Sequence, residues 1–543
     1  MTVLPIVGRE LAVASRRGGT YWLRFWVAAG ALALFCVPCA FSDVPLSEFG
    51  QGIFIFLGCV TLGFCLLAGV FLTADSLSVE KREGTLGLLF LTDLKGYDVV
   101  LGKMASNSLH AFFGLLAVFP VLALPLMTGG LGVGEFWRTM LVFIVTMYFS
   151  LGLGMLVSAA SREGRQAMGG TFVILALLVG VLPLLWLLQS QLSNGSRLDF
   201  LLWPNPVYAF IKGFDDSYLS TFGHHDFWTA MATLFILATA SILAASFLLP
   251  RSWQKSSADD ATRERPRFRF FGRARRRRPP LGEKSPFLWV ALGDRAGQSA
   301  LNRLLILLGL LWAGTLVLGT DQSRMGMFFS FALTLTFGLH FAAKILIASE
   351  SGRRFHHDRQ SGALELLLAT PLPVEDIVNG QREALRLQFQ RALWLISIVN
   401  VLTLLTGIAM MLPEFSGMRT GAANFLWNQV LMMSEIFLGG AVLLWLDASA
   451  LIWLGMWRGL TAKKYPRSVL AAWGQVMAPP WLAFLCFLVI GPMMDRGLSE
   501  GTVNFFILLW FGAGAVVDVL SISWARQNLF SRLRATVSEG SDK

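Results

Sequence analysis

Runs of mostly apolar residues alternate with short polar interruptions along nearly the whole chain. Each run approaches the roughly 20 residues a helix needs to cross a bilayer. The first half holds Trp22–Phe41, Phe54–Leu72, Ser108–Met127, Trp137–Ala159, Met168–Leu188 and Phe227–Leu249. The second half holds Leu301–Gly319, Met325–Ala348, Ala392–Leu412, Asn428–Trp453, Val469–Gly491 and Val503–Ser523. Hydrocarbon offers no water to the backbone, so each run must satisfy its own N–H groups as a helix. The pattern predicts an all-α polytopic membrane protein of about 12 transmembrane helices, in two tandem six-helix repeats. The expected boundaries are 1–250 for the first repeat, 251–297 for a linker and 298–543 for the second repeat.

Two interruptions share one pattern. Glu80–Lys103 reads EKREGTLGLLFLTDLKGYDVVLGK, and Asp358–Gln381 reads DRQSGALELLLATPLPVEDIVNGQ. With Gly84 set over Gly362, a shift of 278 residues, 9 of 19 positions from Gly84 to Gly102 are identical without a gap. A duplication explains this better than chance. In each copy an apolar run ends, charges appear, a glycine follows, and a leucine-rich turn with one-face spacing comes next. Thr92-Asp93 and Thr370-Pro371 then break the helix, and Pro373 followed by Glu375 predicts a fresh start. A short amphipathic helix of this kind, between two spans, can lie on the membrane surface or against a partner.

Composition agrees with the pattern. Hydrophobic residues are 55% of the chain and charged residues 15%, with a mean hydropathy of +0.60, a balance no soluble domain requires. The net charge of +11 is concentrated: Arg251–Arg295 holds 13 Lys/Arg against 5 Asp/Glu. That stretch reads as a tether held near anionic lipid head groups, so nucleic acid is not an expected partner. Placing the N-terminus in the cytoplasm puts 35 of the 45 Lys and Arg on the inner side. The positive-inside rule therefore predicts a multi-pass cell-membrane protein with both termini and both glycine-centred interruptions in the cytoplasm. Trp22–Phe41 is too long for a cleavable signal and is expected to stay as a first span.

The usual reactive motifs are missing. The nearest approach to a phosphate-binding loop, Gly96 to Gly102-Lys103, has the wrong spacing and Met104 after the lysine. The five cysteines lie in apolar runs, so no disulfide framework is expected. Cys36-Val-Pro-Cys39 has no nearby His or carboxylate to complete a metal site. His224-His225-Asp226 and His356-His357-Asp358 fall on opposite predicted sides of the membrane, and no metal is expected at either. Lys344, Glu435, Asp447 and Asp518 remain, ionisable groups within or near apolar runs. At a helix centre each costs about 2.5–3.5 kcal/mol on insertion scales, which makes them candidates to line a translocation path.

The stretch E-K-R-E-G-T-L-x-L-L-x-L-T-x-L from Glu80 to Leu94 resembles ABC-2 type transporter permeases. In that family the segment after the second of six spans forms a cytoplasmic coupling helix that seats on an ATP-binding subunit. The resemblance implies coupling roles for Glu80, Lys81, Arg82, Glu83, Gly84, Leu86, Leu88 and Leu89. In the second copy it implies them for Asp358, Arg359, Gly362, Leu364, Leu366, Leu367, Thr370 and Pro371. The second copy departs at Gln360-Ser361, where the first has Arg82-Glu83. It further implies two permease units fused in one chain, ATP and Mg held by two separate ATPase subunits, no cofactor on this chain, no catalysis by it, and export of an unspecified substrate. Two other readings stay open. One is an ion-coupled secondary transporter using the intramembrane carboxylates. The other is a membrane scaffold or membrane-embedded enzyme.

Overall fold

The computed structural model describes residues 46–91, 95–127, 131–161, 164–183, 199–261, 325–415, 420–462, 465–494 and 500–541, with isolated residues between 29 and 314. The expected spans Trp22–Phe41 and Leu301–Gly319 and the arginine run 273–278 lie outside the described residues, isolated positions in the two spans excepted. Among the described residues every regular element is a helix, and the chain divides into two compact units, Met1–Arg267 and Phe268–Lys543.

Unit 1 begins with α1 (Leu46–Ala68), which continues through a π-helical turn at Gly69–Thr73. After Asp75 come α2 (Ser76–Glu83), α3 (Thr85–Leu91), α4 (Gly96–Leu122), α5 (Leu124–Met127) and α6 (Val133–Ala160). α7 (Gly164–Ala176) ends in a second π-helical turn, Leu177–Val181, and is followed by the short α8 (Pro206–Lys212) and α9 (Asp215–Tyr218). α10 (Gly223–Ala261) closes the unit, carrying helix beyond residue 250, where the linker was expected to start. Unit 2 contains α11 (Met325–Gln360), α12 (Ala363–Leu368), α13 (Val374–Phe415), α14 (Thr420–Thr461), α15 (Tyr465–Met494) and α16 (Glu500–Ser541).

Among the described residues, seven helices are long and apolar enough to cross a membrane. They are Gly50–Lys81, Val133–Ala160 and Gly223–Arg251 in unit 1, and Ala332–Gln360, Val374–Met411, Trp427–Thr461 and Asn504–Val537 in unit 2. Gly96–Leu109 with Ala111–Met127 makes an eighth, bent by 41°. Ser106 and Ser108 precede the bend and donate back to Lys103 O and Ala105 O, bonds of the kind that bend helices. The expected run Met168–Leu188 forms a shorter apolar helix, Gln166–Val181, and Val469–Gly491 lies within α15.

In unit 1, α6 touches α1, α4, α7 and α10, and is apolar on every side because it is the centre of the packing. Hydroxyls fix its register against α1. Ser150 Oγ donates to Leu66 O at 2.6 Å and accepts from Gly69 N–H at 2.9 Å, which satisfies the backbone at the π turn. Thr73 Oγ1 donates to Leu151 O at 3.0 Å. In unit 2 the corresponding centre is α14, packed against α11, α13, α15 and α16. There Ser351 Oγ donates to Leu451 O at 3.0 Å. Thr73 and Ser351 stand 278 residues apart, the shift of the sequence match.

Candidate functional site: two glycine-linked helical hooks and a buried ion cluster

Gly84 has φ +71° and Gly362 has φ +72°, and among the described residues these are the glycines recorded with positive φ. Each ends a helix bearing the charged stretch and begins a short leucine-rich helix. The left-handed conformation costs an L-residue with a Cβ roughly 1–2 kcal/mol, so glycine is the residue that makes this corner without strain. Leu86, two residues beyond Gly84, is fully buried, and so is Leu364, two residues beyond Gly362. Leu86 joins a cluster with Leu77, Val99, Val100, Met155, Ala159 and Leu249. In unit 2, Ile377 and Val378 are fully buried, like Val99 and Val100 of unit 1 at the 278-residue shift. Each short helix is thus pinned by one leucine while other leucines face outward. Leu91 is 81% exposed and Leu366 74% exposed.

The basic residue three positions before each glycine points inward. Lys81 Nζ donates to Ala159 O, with Ser161 O at 3.5 Å. Arg359 Nη1 donates to Leu460 O at 2.5 Å. Both acceptors belong to the last turn of the central helix, α6 in unit 1 and α14 in unit 2. Carbonyls there have no partner within the helix and carry the negative end of its dipole, so a cation satisfies both needs. Each hook is therefore tied to the central helix of its own unit.

The other predicted residues divide between the two hooks. Glu80 pairs with Lys103 Nζ at 2.6 Å and accepts from Thr85 Oγ1, bracing α2 against α3 and α4. Asp358 faces Arg354 Nε at 3.5 Å, one turn back on α11. Thr370 Oγ1 donates to Leu367 O at 2.6 Å and closes α12, with Pro371 exposed after it. Arg82 and Glu83 lie on α2 and Leu88 and Leu89 on α3; their side chains lie outside the described ones.

Lys344, Asp447 and Asp518 come together from three helices of unit 2. Lys344 on α11 meets Asp447 Oδ2 on α14 at 2.5 Å, and both side chains are largely buried. Asp518 on α16 is fully buried, and its carboxylate faces that of Asp447 with no N–H or hydroxyl group recorded as donating to either oxygen. Met477 Sδ of α15 lies 3.9 Å from the Lys344 ammonium. Thr336 and His340 occupy the same face of α11 at four-residue steps before Lys344. His340 Nε2 lies 3.1 Å from Asn400 Oδ1, Thr336 Oγ1 lies 3.3 Å from Thr403 Oγ1, and Trp312 Nε1 donates to Thr403 Oγ1 at 3.0 Å. Glu435 stands apart. It lies 12 residues before Asp447 on α14, about 18 Å along the axis, half-buried, with Oε2 unbonded.

A further polar cluster lies at the opposite end of α6 from Ala159. Arg138 pairs with Asp215, donates through Nε to Gly213 O at 2.9 Å, and stacks over the Tyr218 ring at 3.9 Å. Lys212 pairs with Asp226 at 2.9 Å. Burial, with the Asp226 carboxylate adding to it, pushes the Tyr208 hydroxyl above the ordinary phenol range. These pairs fasten the short α8 and α9 to α6 and α10. Their partners are 75 or more residues apart for Arg138, so no local spacing announces them. Among the described residues no three His, Cys, Asp or Glu side chains converge as a metal site would require.

Helices of this length and apolarity define a multi-pass membrane protein. Residues 38–247 match the model of a family described as ABC-2 family transporter protein. No curated protein matches the chain. The matched stretch runs from α1 to most of α10 and lies within unit 1 of a multi-pass membrane protein.

Proposed function

We propose that the chain is the permease subunit of an ABC exporter. Both halves are six-span permease units, and two separate ATP-binding subunits holding ATP and Mg seat on α3 and α12. The observation that carries this reading is the matched pair of hooks. Each has a left-handed glycine, one buried leucine, one basic side chain on the central helix and one strongly exposed leucine, in a chain whose residues 38–247 match a family of transporter proteins. Isolated exposed leucines need no explanation, but Leu91 ends α3 and Leu366 stands on α12 two residues beyond the buried Leu364, on short helices fastened to their units, where a partner's push would reach α6 and α14. On this reading both hooks face the cytoplasm, the chain binds no cofactor, and hydrolysis occurs on the partner.

The test is co-purification of the full chain from its native membrane with an ATPase, read by nucleotide hydrolysis. The parent chain is expected to retain an ATPase. Leu91→Glu with Leu366→Glu is expected to lose at least tenfold of it, since an anchor residue carries more than about 1.4 kcal/mol of such a contact. An undiminished ATPase yield with both charges in place would sink the proposed docking site.

A further inference from the structure

We infer that unit 2 holds a binding site for one monovalent cation, a proton or an alkali ion, at Asp518 beside the Lys344–Asp447 pair. The geometry fixes the charge count. Lys344 and Asp447 cancel each other at 2.5 Å. Asp518 adds a second carboxylate with no exposed surface, turned toward Asp447, with no N–H or hydroxyl group recorded as donating to it. The charged groups facing it are Asp447 on α14 and Lys344 on α11; Met477 on α15 touches the Lys344 ammonium, and Asn400 on α13 is bonded to His340, one turn from Lys344. An uncompensated charge inside a membrane-spanning bundle is too costly to persist. One positive charge makes the cluster neutral, whereas a divalent ion would leave it charged again.

A route to the site is built into α11. Thr336, His340 and Lys344 follow one another by one turn each, bonded sideways to Thr403 and Asn400 of α13. Polar groups in such a file are costly in a membrane and recur where ions or protons pass. The site does not depend on the proposed ATPase partner, so its failure and that of the exporter reading are separable.

The experiment uses the purified full chain in detergent, without partner or substrate. Its thermal unfolding midpoint is followed in two arms: against pH in choline chloride, and against sodium replacing choline at fixed alkaline pH. A ligand bound to the folded state stabilises it in proportion to the logarithm of its concentration. For a unit of this size each tenfold change is expected to move the midpoint by about 3 °C. A proton site gives a midpoint that falls as pH rises and ignores sodium; an alkali-ion site gives one that rises with sodium. Asp518→Asn removes the surplus charge, and Asp447→Asn does the same from the facing helix. Each is expected to fold and to lose the dependence. A parent chain insensitive to both arms overturns the inference. So does a dependence that survives in Asp518→Asn, or failure of both variants to fold at any pH.

Discussion

The two units share their ends and differ in their interiors. At the hook end, Gly84 and Gly362, Leu86 and Leu364, Lys81 and Arg359, and Thr73 and Ser351 occupy equivalent places 278 residues apart and make equivalent contacts. One turn or more into the bundle the match stops. Lys344 corresponds to Leu66, and Asp447, four residues before Leu451, corresponds to Met147, four residues before Leu151. Unit 1 joins α1 to α6 there with Ser150, bonded to Leu66 O and Gly69 N–H. Unit 2 joins α11 to α14 with an ion pair and leaves a further carboxylate beside it. The backbone differs too. A π turn and the break at Ala74 and Asp75 separate α1 from α2, whereas α11 runs as one helix to Gln360. On the proposed function both units receive the same mechanical input at their hooks, while in unit 2 an ion pair and a further carboxylate stand where unit 1 has Ser150.

The largest expected effect tests that asymmetry directly. Lys344→Met makes unit 2 resemble unit 1 on one helix and leaves Asp447 buried beside Asp518 without a cation. Removing one partner of a buried pair costs about 3–5 kcal/mol. The midpoint of thermal unfolding should drop accordingly. Lys344→Met combined with Asp447→Asn should recover most of the loss, because the double variant returns to a single surplus carboxylate. A Lys344→Met chain as stable as the parent would mean that the pair contributes nothing and that the contrast with Leu66 is one of composition only.

A smaller and symmetric effect is expected at the corners. A Cβ on Gly84 or Gly362 would meet no atom within 4 Å, so the cost of Gly→Ala is backbone strain alone, about 1–2 kcal/mol at each site. Asn tolerates the left-handed region better and should cost less. Equal penalties at the two positions would sharpen the likeness of the hooks. A penalty at one position only would break it.

Much of this was legible in the sequence. The apolar runs marked the spans because a bilayer fixes a helix length. Gly84 and Gly362 stood out because the leucines, Asp98 and Asp376 fell in register around them. The inward role of Lys81 and Arg359 was not legible, since the carbonyls they reach lie 78 and 101 residues away and belong to the backbone, which leaves no trace in residue type. The four intramembrane charges could be named but not grouped. Asp447 and Asp518 converge with Lys344 only through packing of α11, α14 and α16, and Glu435 shares a helix with Asp447 yet stays away from the cluster. The pairing of Arg138 with Asp215 is not legible in the sequence, because the partners lie 77 residues apart.

The subtlest comparison concerns the two basic residues that fasten the hooks. Lys81 is a compact ammonium directed at Ala159 O with Ser161 O nearby, and Arg359 is a planar guanidinium directed at Leu460 O. A cation at a helix C-terminus contributes about 0.3–1 kcal/mol, so Lys81→Met and Arg359→Met should each lower stability slightly. They lie in different units and share no partner, so the double variant should show the plain sum of the two. Their weight in the proposed function is greater, because each is a polar tie between a hook and a central helix. With the ATPase partner present, either variant should keep hydrolysis near the parent rate while transport per ATP falls. Hydrolysis and transport falling together would assign these residues to docking, and the proposed division of labour within each hook would be wrong.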